Sequence, residues 1–284
     1  MNKVNPSLAS AHTQSAVRLL ERHFSGWAPL RPARQSSAVV SAWATSAGPV
    51  HIKTHVTERK YVQEKQAYLR WSKTVRTPRL LDYSDADRAL LMSTVRGQNG
   101  GADTLPLEAH RAAGRWLRCL HRIPVVDDDP LPWSEALQRR IFALQRRAKT
   151  RVDPAVVDRH LAPALGLISS AASMRRVPCH RDFEPGNWIY DGTHLTAIDF
   201  EHARLDAPAW DFTRMATTCW LNREAVREAF SDGYGPVDID FWPWVEALQK
   251  LDTLSTLVWG LTHEAPKFIA RARRSLQVAD GDQR

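Results

Sequence analysis

Residues 179–212 read CHRDFEPGNWIYDGTHLTAIDFEHARLDAPAWDF, and they hold the densest set of side chains able to do chemistry. Asp182 and Asn187 stand in a polar loop. Two apolar segments follow, 187–190 and 195–200, joined by the turn Asp191-Gly192-Thr193. A hairpin of this kind brings the end of the preceding loop beside the end of its second strand. Asp182, Asn187 and Asp199 are therefore expected to converge. Three oxygen-bearing side chains at one point suit a hard cation such as Mg²⁺, which also takes phosphate oxygens and water. A second group lies far upstream. In VHIKTHV, residues 50–56, alternation puts His51, Lys53 and His55 on one face of a strand. A lysine in mid-strand between apolar neighbours needs a partner. The helical stretch at 59–71 offers Glu64.

The elements that must position these groups divide the chain. Helical spacing at 13–24 precedes three strands, 27–33, 38–45 and 50–56, with a polar loop at 34–37. After the helix at 59–71, strands are expected at 79–83 and 89–95, completing a five-stranded sheet with one inserted helix. Residues 96–103 hold Gly97, Gly100 and Gly101 and read as a linker. Beyond it, helices are expected at 105–121, 133–148, 154–174, 208–220, 224–230, 242–262 and 265–277, with the polar hairpin among them. The predicted organisation is a nucleotide-binding lobe at 1–95, a hinge at 96–103 and a helical lobe at 104–284. A cleft between two lobes is a favoured place for a small ligand.

Composition narrows the classes. No window approaches eighteen uninterrupted apolar residues, so no membrane span is expected. The opening MNKVNPSLASAHTQ lacks the apolar core of a secretory leader, and the three scattered cysteines fit a reducing compartment; both predict a cytoplasmic protein. The net charge of +8 comes mostly from arginines along helical patterns, which read as solvated helix faces. Neither an aromatic-plus-basic ribonucleoprotein motif nor zinc-finger spacing is present, so nucleic acid is not an expected partner. A monomer or weak dimer is expected.

From His180 to Asn187 the chain has the form H-x-D-x-x-x-x-N, followed by Ile198-Asp199-Phe200-Glu201. The stretch resembles the catalytic loop and metal-binding segment of the aminoglycoside phosphotransferase and choline kinase-like family, whose members are relatives of protein kinases. That family's usual form is close to H-G-D-x-x-P-G-N followed by I-D-W/F-E. Asp211-Phe212 resembles its later D-L, Leu120-His121 its L-H pair and Gly233-Tyr234-Gly235 its G-Y-G. Arg181 and Glu184 depart from the commoner Gly and His.

The resemblance implies an α+β, bilobal, protein-kinase-like fold, with a five-stranded antiparallel sheet plus helix in the first lobe and a mostly helical second lobe. It implies that Asp182 orients, or takes the proton of, an attacking hydroxyl, and that Asn187 and Asp199 hold Mg²⁺. Lys53 contacts the α- and β-phosphates and is held by Glu64. His180 and Asp211 are structural. Met92 lies at the back of the base pocket, and the backbone of Ser93 and Val95 meets the purine. His51 stacks on the base or faces solvent. The loop holding Ser36 and Ser37 replaces a glycine-rich phosphate loop.

The implied activity is transfer of the γ-phosphate of ATP, or GTP, to a hydroxyl of a small molecule, foremost an antibiotic. A metabolite kinase of the choline, fructosamine or sugar type, and a non-catalytic pseudokinase, are the alternatives. Only eleven residues separate Asp199 from Asp211, too few for the activation segment of a protein kinase. Glu184, Glu201, Glu264 and the 127–129 loop are candidate acceptor contacts. Trp188, Trp210, Trp220 and Trp259 are candidate stacking surfaces, with core packing as the alternative.

Overall fold

Strands β1 (Trp27–Gln35), β2 (Ala38–Thr45), β3 (Val50–His55), β4 (Leu80–Ser84) and β5 (Ala89–Ser93) form one antiparallel sheet in the order β1-β2-β3-β5-β4. The computed structural model describes residues 6–35, 38–101 and 104–281. Helix α1 (Pro6–Glu21) covers one face of the sheet, packing Ala16, Leu19 and Leu20 on Trp43, Val50, Ile52, Ala89 and Leu91. Helix α2 (Glu58–Trp71) covers the other, where Tyr61, Tyr68 and Trp71 join Leu90 and Met92. Period-two alternation thus sends Ile52 to α1 and Lys53 to α2. On the α1 side, buried His12 bonds to Thr54 Oγ1 at 2.8 Å and Ser41 Oγ at 2.7 Å.

The second lobe holds α3 (Leu107–His121), α4 (Trp133–Ala148), α5 (Pro154–Gly166), α6 (Trp210–Thr218), α7 (Glu224–Tyr234), α8 (Phe241–Thr262) and α9 (Pro266–Gly281). Helix α3 packs closely on α7, where a Cβ on Gly233 would overlap the carbonyl of Arg111. Two short ribbons lie between these helices. One pairs β6 (Val177–Cys179) with β9 (Arg204–Asp206), and the other pairs β7 (Trp188–Tyr190) with β8 (Leu195–Ala197).

The differences from the sequence reading are local. The expected helix at 154–174 stops at Gly166, a poor helix residue, and a 3₁₀ segment (Ile168–Ser173) follows. The expected strand at 195–200 ends at Ala197, because Asp199 takes a left-handed φ of 68° that no ladder accepts. The pair β6–β9 has no counterpart in the reading, since three-residue strands show no periodicity.

The lobes are tied at the linker. Gln98 and Tyr190 exchange both backbone hydrogen bonds, at 2.7 and 3.0 Å, joining the linker to β7. Asn99 Nδ2 donates to the carbonyls of Gly186 and Trp188 at 3.0 and 2.7 Å. Gly97 permits the approach: its φ is 142°, and a Cβ there would sit 2.6 Å from the Tyr190 carbonyl oxygen. An aromatic cluster continues the tie inward. Phe200 packs at 5.3 Å on Tyr68 of α2 and at 4.6 Å on His180, while Trp116 of α3 stacks on Phe183 at 5.3 Å.

Candidate active site

The loop from β6 to β7 is pinned from below. Buried Asp211, at the start of α6, accepts the N–H of His180 at 2.8 Å and that of Arg181 at 2.5 Å. His121 Nε2 lies 3.0 Å from Asp211 Oδ2, and its Nδ1 lies 2.8 Å from Tyr234 OH. His180 is fully buried, and its Nε2 meets the carbonyl of Ile198 at 3.0 Å, so it links the loop to the end of β8. Arg181 has φ 70°, the left-handed region that favours glycine and costs other residues about 1–2 kcal/mol. Its guanidinium lies 3.7 Å over the Trp210 ring and 3.6 Å from Asp206. Burial lowers the Arg181 pKa to about 10, against the pull of Asp206.

Above this base, Asp182 and Asn187 meet. Asn187 Nδ2 donates to the Asp182 carbonyl at 2.8 Å and to its Oδ2 at 3.1 Å. The Ile198 N–H donates to the Asn187 carbonyl at 3.0 Å, which brings Asp199 alongside. The amide nitrogen of Asn187 is thereby committed and Oδ1 is left as its remaining ligand atom. Asp199 uses Oδ1 toward Lys53, and Oδ2 meets no partner among the described residues. The donor set is oxygen only, one neutral and one anionic, and it fits a hard divalent cation with positions left for phosphate oxygens.

Lys53 bridges the lobes. Its Nζ lies 2.6 Å from Glu64 Oε2, 2.6 Å from Asp199 Oδ1 and 3.6 Å from Glu201 Oε2. Burial by itself would lower the Lys53 pKa, but these three carboxylates outweigh it and the pKa is raised. Glu64 is fully buried; burial works against its charge, yet Lys53 and His55 bring its pKa down to about 2. His55 Nε2 approaches Glu64 Oε2 at 3.1 Å, and Tyr68 OH donates to Oε1 at 3.3 Å. Asp199 moves the other way: burial raises its pKa, opposed by Lys53. His55, Glu64 and Glu201 hold ligand atoms within 4.8 Å of one another, but Lys53 already stands among them.

The expected base pocket lies at the end of β5. Met92 is buried beneath it. The Ser93 N–H donates to the Arg79 carbonyl at 2.9 Å, so an adenine could meet that residue only at its carbonyl. Val95 follows two residues beyond the end of β5. His51 is half-buried, with Nδ1 3.0 Å from Thr94 Oγ1, and burial together with nearby Arg31 lowers its pKa. Ser36 and Ser37 lie outside the described residues.

The acceptor candidates scatter. Glu201 sits on the nucleotide side, where Lys60 Nζ of α2 meets its Oε1 at 2.7 Å. Glu264 is exposed at the end of α8 and forms no ion pair among the described residues. Asp127 and Asp129 engage Arg176 at 2.8 and 3.5 Å. Glu184 remains beside the loop, but Arg271 of α9 holds it at 3.1 Å. Trp188, Trp210 and Trp220 are buried in the core, whereas Trp259 is 44% exposed.

Three residues that the sequence reading passed over complete this wall. Arg214 Nε of α6 lies 3.2 Å from Asp182 Oδ1, Asp252 of α8 lies 3.8 Å from the same nitrogen, and Arg271 covers Glu184. No motif marks them; they are ordinary polar positions of the helices α6, α8 and α9. Lys60 had a signal, since it precedes Glu64 by four and so shares its helix face.

A family model described as "Phosphotransferase enzyme family" matches residues 50–248. No curated protein sequence matches the chain significantly. Among solved structures, a choline/ethanolamine kinase family protein from Mesorhizobium loti is 18% identical, with TM-score 0.75, covering 96% of this chain and 93% of its own. A GDP-bound variant of aminoglycoside 2′-phosphotransferase-IIIa is 16% identical, with TM-score 0.70, covering 95% and 98%. A spectinomycin phosphotransferase with ADP and spectinomycin is 14% identical, with TM-score 0.61, covering 93% and 92%.

Proposed function

Because the chain belongs to the phosphotransferase enzyme family, we propose that it moves the γ-phosphate of a purine nucleoside triphosphate, ATP or GTP, to a hydroxyl of a small molecule. The observation that carries this reading is the meeting of two groups far apart in sequence. Lys53 and Glu64 of the first lobe close on Asp199 of the second, while Asp199 adjoins the hydrogen-bonded pair of Asp182 and Asn187.

The roles follow from phosphoryl-transfer chemistry, where positioning and charge neutralisation dominate. Lys53 binds the α- and β-phosphates, and Glu64 keeps its ammonium aimed into the cleft. Asn187 Oδ1 and the Asp199 carboxylate would hold Mg²⁺, which would supply neutralisation of the phosphate charge. Asp182 orients the acceptor hydroxyl and receives its proton as the bond to phosphorus forms and the bond from the γ-phosphorus to the bridging oxygen breaks, releasing the nucleoside diphosphate. The Ser93 carbonyl and Val95 N–H hold the purine over Met92, with His51 beside it. His180 and Asp211 hold the loop.

On the acceptor side, Glu184 is already covered by Arg271, and Asp182 by Arg214. That favours a hydroxylated antibiotic or metabolite without multiple amines over a polycation. The test is a screen of hydroxylated antibiotics and metabolites with Mg·ATP, read as an 80-dalton mass gain, the mass of a transferred phosphoryl group of about that size. Transfer lost on Asp182→Ala, with nucleotide binding kept, supports the reading. Nucleotide binding with no transfer and no hydrolysis by the unaltered chain leaves a non-catalytic binder.

A further inference from the structure

We infer that Arg214 selects the acceptor, and that the acceptor carries an oxyanion, carboxylate or phosphate, beside the hydroxyl that is phosphorylated. The inference rests on the phosphotransferase reading above.

Arg214 stands in α6 with its side chain mostly buried. Only one of its nitrogens faces protein. Nε lies 3.2 Å from Asp182 Oδ1 and 3.8 Å from Asp252 Oδ2. That nitrogen is buried, whereas the two terminal amino groups reach solvent and meet no acceptor among the described residues. A guanidinium carries five N–H donors in a rigid fork, and the edge formed by its terminal groups matches a carboxylate or phosphate in a bidentate pair. Here the two carboxylates lie behind Nε as ion-pair partners, without a hydrogen bond to it, and the outer edge carries no partner among the described residues.

The position of the fork says which anion it meets. The two oxygens of Asp182 are divided between opposite sides. Oδ2 takes the Asn187 amide, on the side of Asp199 and Lys53, where the phosphates of the nucleotide belong. Oδ1 faces Arg214, on the side of α6 and α8. The open donors therefore face the acceptor. An oxyanion seated on the outer edge touches the guanidinium directly and is one guanidinium width farther from Asp182 and Asp252. Coulomb energy falls with distance, so the guanidinium is the strongest single charge the oxyanion meets, and two charge-assisted hydrogen bonds add to it. The neighbouring carboxylate Glu184 is held by Arg271, so no bare acidic group competes for this wall.

The experiment uses matched compounds that differ only in the anion: glycerate against glycerol, gluconate against glucose, and glycerol 3-phosphate against glycerol. Binding of each to the full chain holding ADP is measured by calorimetry for the unaltered protein, R214Q and R214K, with thermal unfolding as the control for fold. At least one anion is expected to bind about tenfold or more tightly than its neutral counterpart. R214Q removes that preference, R214K restores part of it, and neither changes the affinity for ADP. The inference is overturned if no anion exceeds its neutral counterpart, or if R214Q leaves the preference intact. It is also overturned if R214Q lowers ATP turnover equally with every acceptor and with water, which would put the fork on the transferred phosphate. Asp182-dependent turnover of Mg·ATP separates the two levels. Its absence sinks the phosphotransferase reading, while its presence without anion preference sinks only the assignment of Arg214.

Discussion

The two sides of the cleft use ion pairs in opposite ways. On the side of the first lobe, Lys53 is almost wholly buried among Glu64, Asp199 and Glu201, and Lys60 closes the cluster. Burying charge is tolerated there because each group has a partner, and removing one leaves the others stranded. On the acceptor side, Arg214 and Arg271 meet Asp182, Asp252 and Glu184 with side chains that are each a fifth to a quarter exposed. These pairs are partly exposed, so each contributes less to stability than the buried Lys53–Glu64 pair. The contrast separates the tasks. Chemistry common to a whole family needs one fixed arrangement, whereas choice of acceptor needs a wall that can change without unfolding the protein.

The sharpest way to break this contrast is at the residue where the sides meet. Asp182→Asn is expected to lower turnover by about 10²–10⁴, a range typical of a lost general base, with unchanged thermal unfolding and nucleotide affinity. Unaltered turnover with a competent acceptor would remove Asp182 from its proposed role. Lys53→Met is expected to differ in kind. It strands Glu64, Asp199 and Glu201 together, so it weakens nucleotide binding and also destabilises the fold by about 3–5 kcal/mol. Denaturant unfolding checks this, and a variant as stable as the parent would show that the cluster is not the closed unit described.

A pH dependence sharpens the contrast further. Burial lowers the His12 pKa from 6.5 to about 4, so the histidine is neutral in the folded first lobe. Between those values the unfolded chain holds a proton that the folded chain does not. Stability is therefore fully present above about pH 6.5 and falls as pH drops toward 4, by at most about 3 kcal/mol. Glu64 acts at lower pH. Its folded pKa is below the ordinary 4.5, so its contribution is present above that value and lost as pH falls toward about 2. Unfolding midpoints measured across this range, with His12→Phe flattening the upper part, test the assignment. The smallest expected effect is at the linker. Gly97→Ala places a Cβ against the Tyr190 carbonyl and is expected to cost about 1–3 kcal/mol, seen as a lowered melting temperature with the site residues untouched.

Much of the frame was legible in the residues. Strands at 38–45 and 50–55 and the helix at 133–148 follow from alternation, helical spacing and turn residues. Alternation and the following helix make a meeting of Lys53 with Glu64 one of two readings, and the family resemblance decides between them. The hairpin turn brings Asp199 beside Asn187 by local geometry. The β6–β9 ribbon leaves no trace, because three residues carry no period, and the sequence offers Glu201 as an acceptor contact because it is a carboxylate close to Asp182 in the chain. Lys60 pulls it to the other side instead.

The sequence by itself determined which chemistry the chain can do, because the groups that do it sit at fixed short spacings in a loop and a hairpin, or on a strand and the helix after it. Only the tertiary structure decided what surrounds Asp182 on the side away from Lys53. Arg214, Asp252 and Arg271 come from three helices whose residues are spaced for packing, and their side chains meet Asp182 and Glu184 only through the way α6, α8 and α9 lie against the loop. Contacts across such separations depend on helix crossing angles and side-chain reach, which no local pattern encodes.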